Sequence, residues 1–214
     1  KYKKRKEPAN YNGHKYSDFL EFIRQNPDVS AVEMDTVYNQ QSGPYIQTFM
    51  FPGMQFMVGR LHRERTSESM ASTLNDYQEK LGDELFSRLF GLLLTDRGAE
   101  FEKVSLFEQG IDGKQRLNIF YCDAMQSVQK PHVENNHNYV RDIIPNGKPL
   151  DRLTQDSINT MFSHINSTPR KSLHGKTPYE LFVFYFGRDA AQTLGINEIP
   201  KDDVVLNPSL IFEK

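Results

Sequence analysis

The chain has 214 residues, a formal net charge of -2, 37% hydrophobic and 12% aromatic content. That is enough apolar material for one large domain with a core, and the charge excludes a uniformly basic protein that coats nucleic acid. No run of about 18 apolar residues would span a bilayer, no stretch reads as a secretory signal, and the single cysteine, Cys122, has no partner for an internal disulfide, which fits a reducing compartment.

Taken in chain order, Lys1, Lys3, Lys4, Arg5 and Lys6 form a basic run, and residues 1–28 are expected to be a solvated arm and linker. The run Ser30-Ala31-Val32-Glu33-Met34-Asp35-Thr36-Val37-Tyr38 alternates and is rich in β-formers, so Ala31, Glu33, Asp35 and Val37 share one face of a strand. Residues 45–51 and 54–61 are two apolar runs about Pro52-Gly53, the pattern of a hairpin. Thr66 can cap a helix whose Met70, Leu74, Tyr77 and Leu81 make an apolar stripe, with Gly82 as its stop. Residues 89–95 read as a strand buried on both faces that stops at Asp96-Arg97-Gly98. A short helix over 101–109, a turn at Gly110-Ile111-Asp112-Gly113-Lys114 and a fifth strand over 117–121 follow. Pro131 can open a helix with Val133, Val140 and Ile144 on one side and Glu134, Asn138 and Arg141 on another. Thr154 opens a helix with Ile158, Met161, Phe162 and Ile165 on one face, and Thr177-Pro178-Tyr179-Glu180 combines N-cap, first-turn proline and capping-box glutamate. The tail over 196–214 is expected to be irregular.

Asp35 within a strand, Asp96 at a strand tip and Glu134 early in a helix make a carboxylate set suited to hard divalent cations, which prefer oxygen ligands. Two such ions about 3.5–4 Å apart can hold the attacking and leaving oxygens of an in-line phosphoryl displacement. Three acids among 28 carry little by themselves. Glu33, Glu100 and Asp123 stand in reserve as ligands or supports beside them.

The surrounding sequence resembles the IS30 family of transposases, members of the retroviral-integrase-like group. Val32-Glu33-Met34-Asp35-Thr36-Val37 is similar to the family's first-aspartate strand, and Leu94-Thr95-Asp96-Arg97-Gly98-Ala99-Glu100-Phe101 to its T-D-N-G-x-E-F. Phe120-Tyr121-Cys122-Asp123, Gln129-Lys130 and Glu134-Asn135-Asn136 resemble the approach to its glutamate helix, and Asn166, Pro169-Arg170, Leu173 and Thr177-Pro178-Tyr179-Glu180 its closing signature. Arg97 departs from the usual Asn, Lys130-Pro131 from Arg-Gly, and Thr168 from Arg.

The resemblance, over residues 30–185, implies an α/β fold, a ribonuclease H-like mixed five-stranded sheet flanked by helices, with strands one and four side by side. It implies residues 29–150 as the catalytic core, 151–195 as C-terminal helices completing it, and a helix-turn-helix DNA-reading region in a longer parent. The implied enzyme is a DDE-type transposase in which Asp35, Asp96 and Glu134 bind two Mg²⁺ or Mn²⁺ ions, cleaving element ends and joining them to target DNA. It would work as a dimer or larger assembly on DNA, nucleoid-associated in a bacterial cytoplasm, with no membrane partner. Arg97, Lys130, Asn138, Arg141, Arg170 and Lys171 are the candidate phosphate contacts. Alternatives are a ribonuclease H-like nuclease or resolvase that only hydrolyses, and a DNA-binding module that has lost catalysis. His132-Val133-Glu134-Asn135-Asn136-His137 is no zinc-protease motif, because histidines five apart diverge on a helix. There is neither a P-loop nor a dinucleotide fingerprint.

Overall fold

The computed structural model describes residues 11–212, so the basic run Lys1 to Lys6 lies outside the described residues. Strands β1 (Val32–Tyr38), β2 (Tyr45–Phe51) and β3 (Phe56–His62) are a meander, and β4 (Leu92–Thr95) and β5 (Asn118–Tyr121) complete a sheet of order β3-β2-β1-β4-β5. β1 pairs antiparallel with β2 and parallel with β4, and β4 pairs parallel with β5. A meander extended by two parallel strands on the first-strand side is the ribonuclease H-like arrangement. The hairpin turns through a short 3-10 stretch, Pro52–Met54, which Gln55 closes in the left-handed region at φ 52°.

Helix α1 (Tyr16–Gln25) precedes the sheet, α2 (Ser67–Leu81) and α3 (Asp83–Phe90) join β3 to β4, and α4 (Val104–Glu108) lies between β4 and β5. After the sheet come α5 (Pro131–Ile143), α6 (Gln155–Asn166), α7 (Pro178–Phe186) and α8 (Arg188–Thr193). Thr66 caps α2 by accepting from the Ser69 amide, as its sequence suggests, and Thr154 and Thr177 close capping boxes on α6 and α7.

Strand alternation assigns the sheet's two faces. Met34, Phe49, Leu93, Ile119 and Tyr121 enter the large core, where Phe49 meets Tyr77 of α2 and Phe90 of α3 edge-on and Phe86 stacks on Phe90. Leu92, Leu94, Phe120 and Cys122 face the other way and are covered by Phe19, Phe22 and Ile23 of α1. The outer strand β3 is sealed by α6. Asn166 accepts from the Met57 amide at 2.9 Å and donates to its carbonyl at 2.7 Å, while Gln155 binds the Leu61 amide and the Gly59 carbonyl.

Two expectations are corrected. Within residues 1–28, the part from 11 onward is not linker: Tyr16–Gln25 is helical and buries Phe19 on the sheet, an amphipathic pattern masked by its many polar residues. The strand expected over 89–95 starts only at Leu92, because Phe86, Leu89 and Phe90 share the buried side of α3 at helical spacing and Gly91 ends that helix. The tail from residue 196 holds short 3-10 turns, and Leu206, Leu210, Ile211 and Phe212 pack against the core. No helix among the described residues is long and apolar enough to cross a membrane.

Candidate active site

Glu33 of β1 is in register with Leu94 of β4, so Asp35 stands level with the strand tip at Asp96. Parallel neighbours in phase present their side chains to the same face, which brings Asp35, Asp96 and Cys122 to the end of the sheet between α1 and α5. Asp35 is half-buried: one carboxylate oxygen accepts from the Thr36 amide at 2.7 Å, and the other pairs with Lys130 Nζ at 3.1 Å. Asp96 has an exposed edge and accepts from the Gly98 amide at 3.0 Å. Protein packed behind it removes water and raises its pKa. Lys130 and the Gly98 amide oppose this shift, and Asp35 and Glu100 reinforce it.

Lys130 is the unforeseen element. Only 3% exposed, it donates to the Met34 carbonyl at 3.1 Å as well as to Asp35. Burial pulls its pKa down, but Asp35 and then Asp96 outweigh that and raise it, keeping the ammonium charged. Cys122 sits within reach of the same charges, and burial pushes its thiol up to about 12, which removes it as a nucleophile at neutral pH.

Glu134 lies on the first turn of α5, exposed, and its carboxylate makes no hydrogen bond or ion pair among the described residues. Its helix is anchored by Glu33, which accepts from the Val133 amide at 2.7 Å and whose pKa burial raises. One turn beyond Glu134, His137 meets the Thr48 hydroxyl at 3.2 Å, and burial lowers its pKa while Asp35 and Glu134 oppose that. The structure thus brings Asp35 and Asp96 together and leaves Glu134 at the rim. Among the described residues no group of three His, Cys, Asp or Glu is gathered closely enough to hold a metal ion. The donor set nonetheless fits hard cations: carboxylate oxygens, with a buried cation already drawn against one of them.

The reserve carboxylates have other work. Glu100, 1% exposed, holds Arg65 through one oxygen at 2.7 Å, while its second is buried without a partner. Asp123 accepts from Arg97 and Gln129.

Of the candidate phosphate contacts, Lys130 and Arg170 are corrected: both are buried. The Arg170 guanidinium lies 3.6 Å from the Tyr139 ring centre and donates to the Ile165 carbonyl, tying α5 to the end of α6. Arg97 donates to the Cys122 carbonyl and Arg141 to Asn39, so both are half-buried and partly engaged. Asn138 and Lys171 are exposed.

No protein-family model matches the chain. It is similar to the transposase for insertion sequence element IS4351 of Bacteroides fragilis, 30% identical over 94 residues, 44% of this chain and 28% of that one. Transposase InsI for insertion sequence element IS30A of Escherichia coli K12 is 29% identical over 119 residues, 56% of this chain and 29% of that one. The putative integrase ORF3 of Spiroplasma virus SpV1-R8A2 B is 25% identical over 189 residues, 84% of this chain and 54% of its own. The chain therefore spans between 28% and 54% of the length of these relatives. Among solved structures, the catalytic core domain of BIV integrase is 15% identical with a TM-score of 0.48, over 73% of this chain and 95% of that one.

The sheet order is of the ribonuclease H-like kind, and in sequence the domain is similar to transposases and to an integrase. Among those relatives, the similarity extends to the IS30-type insertion-sequence transposases.

Proposed function

We propose that this domain carries out metal-dependent DNA cleavage at the ends of a mobile element and joins those ends to target DNA. The observation that carries the reading is the level placement of Asp35 and Asp96 on adjacent parallel strands, facing one way. Asp35, Asp96 and Glu134 would hold Mg²⁺ or Mn²⁺; two such ions bound there supply activation of the attacking hydroxyl and stabilisation of the leaving 3′-oxygen. The chain's own part is positioning. The sheet fixes the two aspartates, the Gly98 and Thr36 amides orient their carboxylates, and the Glu33 anchor on Val133 sets the start of the helix that brings Glu134 to the rim. Asn138 and Lys171 are exposed and available to phosphates, with Arg97 and Arg141 closer in. Handling two DNA ends together calls for a dimer or larger assembly on DNA.

The test is a strand-transfer assay with the full-length protein on its element ends, in Mg²⁺, for wild type and for Asp35→Asn, Asp96→Asn and Glu134→Gln. Each substitution is expected to lower joining at least a hundredfold with folding intact, and joining that survives all three would sink the reading. Cleavage without joining would instead define a hydrolytic nuclease.

A further inference from the structure

A lysine so deeply buried needs a compensating charge, since an unpaired ammonium in a protein interior is strongly unfavourable. Lys130 has one in Asp35, and its remaining contact, the Met34 carbonyl, belongs to the same strand, so the side chain reaches down from the start of α5 onto β1. It lies among the titratable groups Asp35, Asp96, Glu33, Cys122 and His137 that face it from β1, the ends of β4 and β5, and α5. The oxygen of Asp35 that Lys130 holds is the one not already taken by the Thr36 amide. A cation arriving at the pair therefore meets an ammonium on the carboxylate oxygen it needs, and like charges at that range repel.

We infer that the Lys130 ammonium is a built-in place-holder for the metal: it neutralises the aspartate pair in the metal-free protein, and a divalent ion must displace it from Asp35 to bind. This rests on the reading of Asp35 and Asp96 as metal ligands. It assigns to Lys130 a positioning role rather than a DNA contact. It also gives the residue's location meaning, because Lys130 is the residue on which α5 begins and Glu134 stands one turn later. Releasing Lys130 from β1 removes one of the two ties, the other being Glu33 on the Val133 amide, that hold the start of the helix carrying Glu134.

Two measurements on the full chain test it. Amine-directed acylation, read residue by residue by mass spectrometry, is expected to leave Lys130 at least tenfold less labelled than exposed Lys114 in chelator, and to label it severalfold faster at saturating Mn²⁺. Isothermal titration is expected to show Mn²⁺ binding at least tenfold tighter to Lys130→Met than to wild type. Unchanged labelling of Lys130 with Mn²⁺ bound overturns displacement, even if the variant binds more tightly, because the ammonium would then stay and merely repel. Equal or weaker binding by a folded Lys130→Met also overturns it, while leaving the metal site standing. No Mn²⁺ binding to either protein overturns the metal-site reading itself. The labelling arm uses only wild type, so it decides the matter if the variant does not fold.

Discussion

Single side chains in this domain are set by what surrounds them more than by their own chemistry. His62 is 7% exposed and hydrogen-bonded to Ser69 at 2.8 Å, Gln47 at 3.0 Å and Thr73 at 3.1 Å. Burial, helped by Arg60, brings its pKa down to about 4. The folded state therefore holds His62 neutral while the unfolded chain takes up a proton near pH 6.5, so the contribution is complete above that value and is lost as pH falls toward 4. The interval corresponds to about 3 kcal/mol at 1.36 kcal/mol per unit. Thermal melts from pH 7 to pH 4 should show a loss of stability that is clearly smaller in His62→Gln, and identical slopes for the two proteins would refute the assignment. Lys130 teaches the same lesson at the site. As a residue type beside a motif it read as a phosphate contact, yet its charge is spent inside the protein on Asp35.

At the level of elements, signals confined to a few residues were legible. The alternation around Asp35, the hairpin at Pro52-Gly53, the Thr66 and Thr177 caps and the glutamate helix opened by Pro131 are all present as their local chemistry dictates. Where a run was apolar without a clear period, as over 89–95, a helix end and a strand start were indistinguishable. The closing signature shows why a shared motif need not touch a substrate. Asn166 closes the open edge of β3, supplying hydrogen bonds that a neighbouring strand would otherwise supply, and it is fully buried there. Asn166→Ala leaves the Met57 amide and carbonyl without those partners and should destabilise the domain by about 2–6 kcal/mol, at 1–3 kcal/mol for each buried group left unsatisfied. Urea denaturation measures this; a change below about 0.5 kcal/mol would show that the edge is sealed by other means.

For the whole molecule, the net charge of -2 means that the DNA binding proposed above would come from local patches rather than from an overall field. A metal bound only by the folded state adds stability by mass action, about 2.7 kcal/mol at a hundred times its dissociation constant. For a chain of this size that is roughly 2–4 °C per kcal/mol in the thermal midpoint. Mg²⁺ or Mn²⁺ should therefore raise the midpoint of wild type, chelator should return it to its starting value, and Asp35→Asn should not respond; an equal rise in that variant would place the ions elsewhere. By itself the sequence located the meander and fifth strands and most of the helices, because pleat alternation and helix caps act over a handful of residues, and its motif resemblance singled out three candidate carboxylates. Only the tertiary structure decided that α1 covers the β4 and β5 face, that Arg170 joins α5 to α6, and that Lys130 lies against Asp35. The physical reason is that burial and charge pairing depend on what packs alongside: the Met34 carbonyl that Lys130 grips is 96 residues away in sequence and the Met57 backbone that Asn166 completes is 109 away, distances over which no periodicity carries information.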